Sequence, residues 1–286
     1  MSERAAVFPC GGDSLVGILH VPDVAVTDVG ILVVVGGPQY RVGSHRQFTL
    51  MARCLCANGY PVFRFDYRGM GDSSGESHTF ESVSDDIRAA TDTFLREVPG
   101  LRAIVAFGLC DAASALLMQQ DERLAGLVLA NPWVRTDAGQ AEAYVRHYYG
   151  ARILQRSFWL KLLSGRVRLT DSLKSLYSAV VRVISKGTNN SDAGEPDFVS
   201  RMLTGARAFE GPVLLLMSGR DLTAREFDLF CERSEDWGGW VTQRNVARVD
   251  LPQADHTFSA SGTLNTANDS LLSWLSRHFA GSRDPR

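Results

Sequence analysis

Short, continuous apolar runs recur along the chain, and most of them lead into a stretch with helical spacing. Gly30–Val35 (GILVVV) runs into Gly36-Gly37-Pro38, Pro61–Asp66 (PVFRFD) into a glycine-rich loop, Arg102–Gly108 into Cys110, and Leu124–Ala130 (LAGLVLA) into Asn131-Pro132-Trp133. Runs of this kind read as strands buried on both faces, because a strand with one wet face alternates instead. Helical spacing follows in Gln47–Asn58, which Gly59 stops, in Val83–Val98, and in the small residues of Ala112–Gln120. Strand signals return at Pro212–Ser218 (PVLLLMS) and Val246–Leu251, and a last helix covers Thr266–Phe279. Val16–Val21, after a Gly-Gly-Asp turn, reads as an early antiparallel strand. The alternation predicts an α/β fold with a mostly parallel central sheet and helices on both faces.

The rhythm breaks between Arg135 and Ala208, which is rich in Arg, Tyr and Ser and carries a polar loop at Lys186–Glu195 (KGTNNSDAGE). A helical insert between two strands predicts a cap over the carboxyl edge of the sheet. The expected division is a core of residues 1–134 and 209–286 and a cap of residues 135–208. A chain of 286 residues is long enough for one such domain with an insertion.

The formal charge of −2 gives no field that favours nucleic acid or an anionic membrane. No apolar run approaches the roughly 20 residues of a membrane helix. Met1-Ser2-Glu3-Arg4 does not lead into a signal-peptide apolar region, so a cytoplasmic protein is expected. Five cysteines, at positions 10, 54, 56, 110 and 231, are too few and scattered for a disulfide framework. Cys54 and Cys56 lack the further Cys or His that would complete a zinc pattern and read as buried thiols on a helix. Neither a metal nor a cofactor is expected, and the oligomeric state stays open.

The chemistry concentrates at Val105-Ala106-Phe107-Gly108-Leu109-Cys110-Asp111-Ala112-Ala113, a strand, a sharp turn and a helix of small residues. This is the context of a nucleophile elbow, in which small residues flank the strained nucleophile two places on each side. The usual G-x-S-x-G is here G-x-C-x-A, with Gly108 and Ala112 as the small residues. The turn sets the Cys110 thiol at a helix N-terminus, where the dipole and free N–H groups favour a thiolate. The contrary reading is an inert cysteine in a lapsed elbow. Ser114 lies a full turn into the helix, where its hydroxyl would not reach the elbow.

An acid is expected after a later strand, and Asp221 in Met217-Ser218-Gly219-Arg220-Asp221 fits; it reads equally as a helix N-cap. His256, in Ala254-Asp255-His256-Thr257-Phe258, is the histidine that falls between the final strand and the final helix. Asp255 adjoins it too closely to orient its ring. The order Cys110, Asp221, His256 is nucleophile, acid, base. The oxyanion donors are expected from the amide of Asp111 and from the Gly36–Tyr40 loop; Pro38 has no N–H, which leaves Gly37 or Gln39, with Gln39 favoured. Arg41, His45 and Arg46 stand close to the mouth and read either as contacts for an anionic group or as a solvated loop. Trp133, with Tyr144, Tyr148, Tyr149, Phe158 and Trp159, reads as an acyl pocket or as the cap's own core. Asp66–Ser73 (DYRGMGDS) lacks the lysine and spacing of a phosphate loop and reads as a structural turn beside the site.

DYRGMGDSSG, the elbow, SGRD and ADHTF resemble the serine-aminopeptidase-like branch of α/β-hydrolases. VFPCGGDSLVGILH, VVGGPQYRVGSHRQF, GLCDAAS and NPWVRT resemble, more narrowly, the exosortase A system-associated hydrolase 1 family. The resemblance runs over most of the chain and weakens at Lys186–Glu195 and at the C-terminus. It implies an α/β-hydrolase fold and a bacterial hydrolase encoded near exopolysaccharide and protein-sorting genes. The Cys-Asp-His arrangement also resembles dienelactone hydrolases and polyester synthases, whose second elbow glycine is missing here. The leading expectation is hydrolysis of an ester or thioester, with a small molecule, an acyl carrier or a saccharide ester as substrate. The alternatives are acyl transfer to an alcohol through the same acyl-cysteine, and a non-catalytic binding protein.

Overall fold

The computed structural model describes residues 1–25, 27–37, 39–119, 121–134 and 197–279. Among them is an eight-stranded sheet of order β1-β2-β4-β3-β5-β6-β7-β8. The strands are β1 (Ser2–Cys10), β2 (Asp13–Val21), β3 (Val29–Val34), β4 (Val62–Phe65), β5 (Ala103–Leu109), β6 (Leu124–Ala130), β7 (Val213–Ser218) and β8 (Val246–Leu251). The pairs β1·β2 and β2·β4 are antiparallel, and the others are parallel. The helices are α1 (Gln47–Ala57), α2 (Ser84–Glu97), α3 (Asp111–Met118), α4 (Phe198–Ala208), α5 (Leu222–Arg233), α6 (Glu235–Val241) and α7 (Thr263–Phe279).

The continuous apolar runs are explained by cover on both faces. Ile31, Val33, Val105, Phe107, Leu214 and Leu216 share one core with Phe48 and Met51 of α1 and Leu271 and Trp274 of α7. Their chain neighbours Leu32, Val34, Ile104, Ala106, Val213 and Leu215 point the other way, into a second core with α2 to α6. Side chains alternate at a period of two, so a strand with helices above and below favours apolar residues on both of its faces.

Two departures from the sequence reading have physical causes. The first strand, β1, had no apolar run to announce it, because it is an edge strand whose residues are mostly exposed. It is held by backbone pairing through a hairpin at Gly11 (φ 58°) and Gly12 (φ 93°), the positive-φ pair that a tight hairpin turn requires. The second concerns the insertion boundary. Residues 198–208, expected in the cap, form α4, and α4 packs on α3 within the core. The first compact unit accordingly comprises Met1–Val134 and Asp197–Arg286. The rest of the expected cap, residues 135–196, lies outside the described residues, as do Tyr144, Tyr148, Tyr149, Phe158 and Trp159.

His20 of β2 is buried, and its Nε2 accepts a hydrogen bond from Arg64 Nε at 3.0 Å. Burial first, and then the Arg64 charge, push its pKa down to about 4. A histidine depressed in the fold stabilises it above the unfolded pKa of about 6.5 and loses that contribution as pH falls towards 4. Denaturant unfolding measured between pH 7 and 4 is expected to show a stability loss of up to about 3 kcal/mol, at most about 1.4 kcal/mol per pH unit from this one proton. His20→Gln should flatten that slope, and an unchanged slope would refute the assignment.

Candidate active site

The elbow is built by the tight meeting of β5 and α3. Cys110 stands between them at φ 62°, ψ −123°. A non-glycine residue at positive φ is held there only by its surroundings. The Cys110 amide donates to Ala130 O at the end of β6 (2.9 Å), and its carbonyl accepts from Ala113 N (3.1 Å) and Trp133 N (3.3 Å). A Cβ on Gly108 would lie 2.7 Å from the backbone of Ala112 and Ala113, so strand and helix touch at that residue. Ser114 is buried, and its hydroxyl donates to Trp133 O at 2.6 Å, a tie between α3 and the Trp133 loop.

Asp221 sits just after β7 and is 6% exposed. One oxygen, Oδ2, meets His256 Nδ1 at 2.8 Å. The same carboxylate caps α5, accepting from Thr223 N at 3.1 Å and Ala224 N at 3.3 Å. The two readings of Asp221 in the sequence are therefore compatible. The cap fixes the rotamer that meets the histidine, because the helix N-terminus favours the same negative charge. Asp255 is turned into its own loop, accepting from Thr257 N at 3.2 Å and Ser259 N at 2.8 Å.

The His256 side chain is 35% exposed. Its pKa is pushed up to about 10, first by the hydrogen bond that Nδ1–H donates to the Asp221 carboxylate and then by the nearby Cys110 thiol. His256 and Asp221, far apart in sequence, are thus hydrogen-bonded, and Cys110 is near enough to act on the ring's charge. The other thiols are in different surroundings: burial pushes Cys10 and Cys54 up, Cys56 to about 11 and Cys231 to about 12.

Sequence reasoning passed over Asn131, which holds this arrangement together. Its Oδ1 accepts from Ser218 N at 2.8 Å, and its Nδ2 donates to Ser218 Oγ (3.0 Å) and His256 O (3.4 Å). One buried side chain thereby ties the ends of β6 and β7 to the histidine loop. The Asn-Pro step after a buried strand was the available signal, and it was read only as a strand end.

The residues expected around the mouth are placed as follows. Gln39 N–H donates to Gly37 O at 2.8 Å, within its own loop. Gly37 N–H instead lies beside the elbow and donates to Asp111 Oδ2 at 2.9 Å. The Gln39 amide is thus engaged within its own loop, and the Gly37 amide is directed at the residue after the nucleophile. The Arg41 guanidinium pairs with Asp66 and with Asp72 (2.8 Å), and Arg41 N donates to Asp66 Oδ1 at 2.6 Å. Asp66 also accepts from Asp72 N at 3.1 Å, so it locks the Arg41 loop to the glycine-rich turn, and Arg41 is not free for a substrate anion. His45 Nε2 meets Thr257 O at 2.7 Å, which couples the same loop to the His256 loop. Trp133 is half-buried against the elbow, and its amide donates to Ser114 Oγ at 2.9 Å. Among the described residues, no group of three or more His, Cys, Asp or Glu could hold a metal ion, and no helix is long and apolar enough to cross a membrane.

Comparison with solved structures matches the fold. An esterase of Pyrococcus furiosus superposes with a TM-score of 0.65 at 16% identity, over 98% of this chain and 92% of that one. Est1E of Butyrivibrio proteoclasticus with ferulic acid bound gives 0.61 at 13% identity, over 96% and 98%. An α/β serine hydrolase without lid from Xanthomonas campestris gives 0.59 at 17% identity, over 99% and 97%. No curated protein matches the chain. Residues 30–226 match the family described as serine aminopeptidase, S33. With its sheet order, its elbow and that match, the chain is an α/β-hydrolase and belongs to the serine aminopeptidase S33 family.

Proposed function

We propose that the protein hydrolyses a carboxylic ester or thioester through a covalent acyl-cysteine on Cys110. The observation that carries the reading is the His256 ring, hydrogen-bonded through Nδ1 to Asp221, with the Cys110 thiol near enough to raise the ring's pKa. The family is named for a serine, and this elbow carries a cysteine instead.

In the first step the Cys110 thiolate attacks the carbonyl carbon, and the carbonyl oxygen takes up the negative charge. The amides of Asp111 and Gly37 are the donors assigned to that oxygen. His256 then gives its proton to the departing alkoxide or thiolate as the bond to the leaving group breaks. The product is an alcohol or thiol and a thioester on Cys110. A thioester sulfur carries no charge, so the support that Cys110 lends to the protonated ring is gone. The ring's pKa falls, so it stays neutral after giving up its proton and is free to take one from water. The resulting hydroxide attacks the thioester, the acid departs, and the thiolate reforms beside a protonated ring. Asp221 holds Nδ1–H throughout, which keeps the other ring nitrogen facing the reaction.

The resemblance to exosortase A system-associated hydrolases supports a saccharide or acyl-carrier ester as substrate, in a cytoplasmic setting near exopolysaccharide synthesis. Alkylation tests the reading. Iodoacetamide at neutral pH, followed by peptide mapping, is expected to label Cys110 at least about tenfold faster than Cys10, Cys54, Cys56 or Cys231, since only the thiolate reacts. The acylation rate with an activated ester is expected to fall as pH rises through about 10, where His256 loses the proton it must donate. Equal labelling of all the thiols would exclude the reading.

A further inference from the structure

The donor expected to receive a substrate oxyanion already has an acceptor. Gly37 N–H donates to Asp111 Oδ2 at 2.9 Å, and the amides of Asp111 and Ala112 also face that carboxylate. The side chain of the residue after the nucleophile has folded back over the backbone donors that its own position helps to create. Its other oxygen, Oδ1, packs so closely on Gly36 that a Cβ there would overlap it. That oxygen is buried and has no hydrogen-bond partner among the described residues. Tyr67, whose ionisation the Asp111 charge opposes, is buried with its hydroxyl likewise unpartnered among the described residues. The carboxylate is therefore seated on one side only, which is the condition of a group that another acceptor can displace.

We infer that the Asp111 carboxylate is an internal occupant of the oxyanion cradle, and that acylation of Cys110 requires the substrate carbonyl to displace it from Gly37 N–H. This rests on the acyl-cysteine reading above and adds a specificity determinant to it. A carboxylate and a developing oxyanion compete for the same donor and repel each other at close range. Acyl donors that need strong oxyanion stabilisation are disfavoured, and those with an already electrophilic carbonyl, thioesters above all, are favoured. Burial raises the carboxyl's pKa, the backbone donors oppose that rise, and the positive charge of His256 also opposes it.

The test separates two reactions of one thiol. Acylation by a p-nitrophenyl ester passes through an oxyanion, whereas alkylation by iodoacetamide does not. Both rate constants are measured on the full chain for the native protein, for Asp111→Asn, which keeps a neutral acceptor, and for Asp111→Ala, which removes it. Thermal melting of each variant establishes that it is folded. The expected result is acylation faster by about tenfold in Asp111→Asn and by more in Asp111→Ala, with alkylation changed less than about twofold. The native preference for acetyl thioester over acetyl ester should shrink in the same order. Acylation that is unchanged or slower in the folded variants, with alkylation unaltered, would overturn the inference while leaving Cys110 as nucleophile. No acyl-enzyme in any variant would overturn the nucleophile assignment and this inference with it.

Discussion

Cys110→Ala is expected to lower kcat/KM for an activated ester by at least about 10⁴-fold while the protein stays folded. The loss is large because the thiol supplies the bond-forming atom, and none of the neighbouring groups can replace it. Ser114, the closest hydroxyl in sequence, is committed to Trp133 O and buried. The fold should survive because the elbow is tied by the Cys110 backbone, through Ala130 O and Ala113 N, and not by the thiol. Alanine keeps that backbone and its positive φ. Cys110→Ser sharpens the prediction. A hydroxyl does not form an anion beside His256, so the ring's raised pKa loses one of its supports, and the histidine can act as base on the serine. The serine variant is expected to fall less than the alanine variant, and its rate should rise at lower pH than the cysteine enzyme's alkaline decline. Steady-state kinetics of both variants from pH 5 to 11 check this. Equal turnover by native protein and Cys110→Ala would remove Cys110 from the mechanism.

Gly205→Ala should be the most damaging single methyl addition away from the site. A Cβ at Gly205 would overlap the carbonyl oxygen of Leu117, which belongs to α3. The obstacle is backbone, which cannot rotate aside, so α4 must shift away from the helix that carries the elbow. Overpacking of this kind costs about 3 kcal/mol, a fall of roughly 10 °C in Tm for a domain of this size. The same displacement should reach the reaction, because α3 begins at Asp111 and holds the turn on which Cys110 sits. Differential scanning calorimetry and a kcat measured well below the melting range check both halves. A native Tm would mean that α4 is not anchored through Gly205.

That residue also explains where sequence reading stopped. The doubly covered strands were legible because burial on both faces leaves a signature in composition alone. The elbow and Asp221 stood out because each follows a buried strand, and His256 because it falls between the last strand and the last helix. The boundary at residue 208 was not, because α4 has the same helical pattern whether it packs on the core or on an insertion. Only the contact between Gly205 and Leu117 O decides, and that is a distance, not a pattern. β1 was missed because it buries little beyond Phe8 and Cys10. Asn131 was missed because its bonds reach Ser218 and the His256 loop, residues far along the chain. The engagement of the Gln39 amide in a tight turn within its own loop is likewise something composition does not reveal. The turn of the Asp111 carboxylate onto Gly37 N–H was not legible because it joins residues far apart in the chain.

The central claim is that Cys110 carries the acyl group. The most direct measurement is the intact mass of the protein after rapid mixing with a p-nitrophenyl ester and acid quench, followed by peptide mapping. The claim predicts one added acyl group, located on the peptide holding Cys110, lost on incubation at neutral pH, and absent in Cys110→Ala. An adduct that persists in Cys110→Ala, or that maps to Ser114 or to another cysteine, would contradict it.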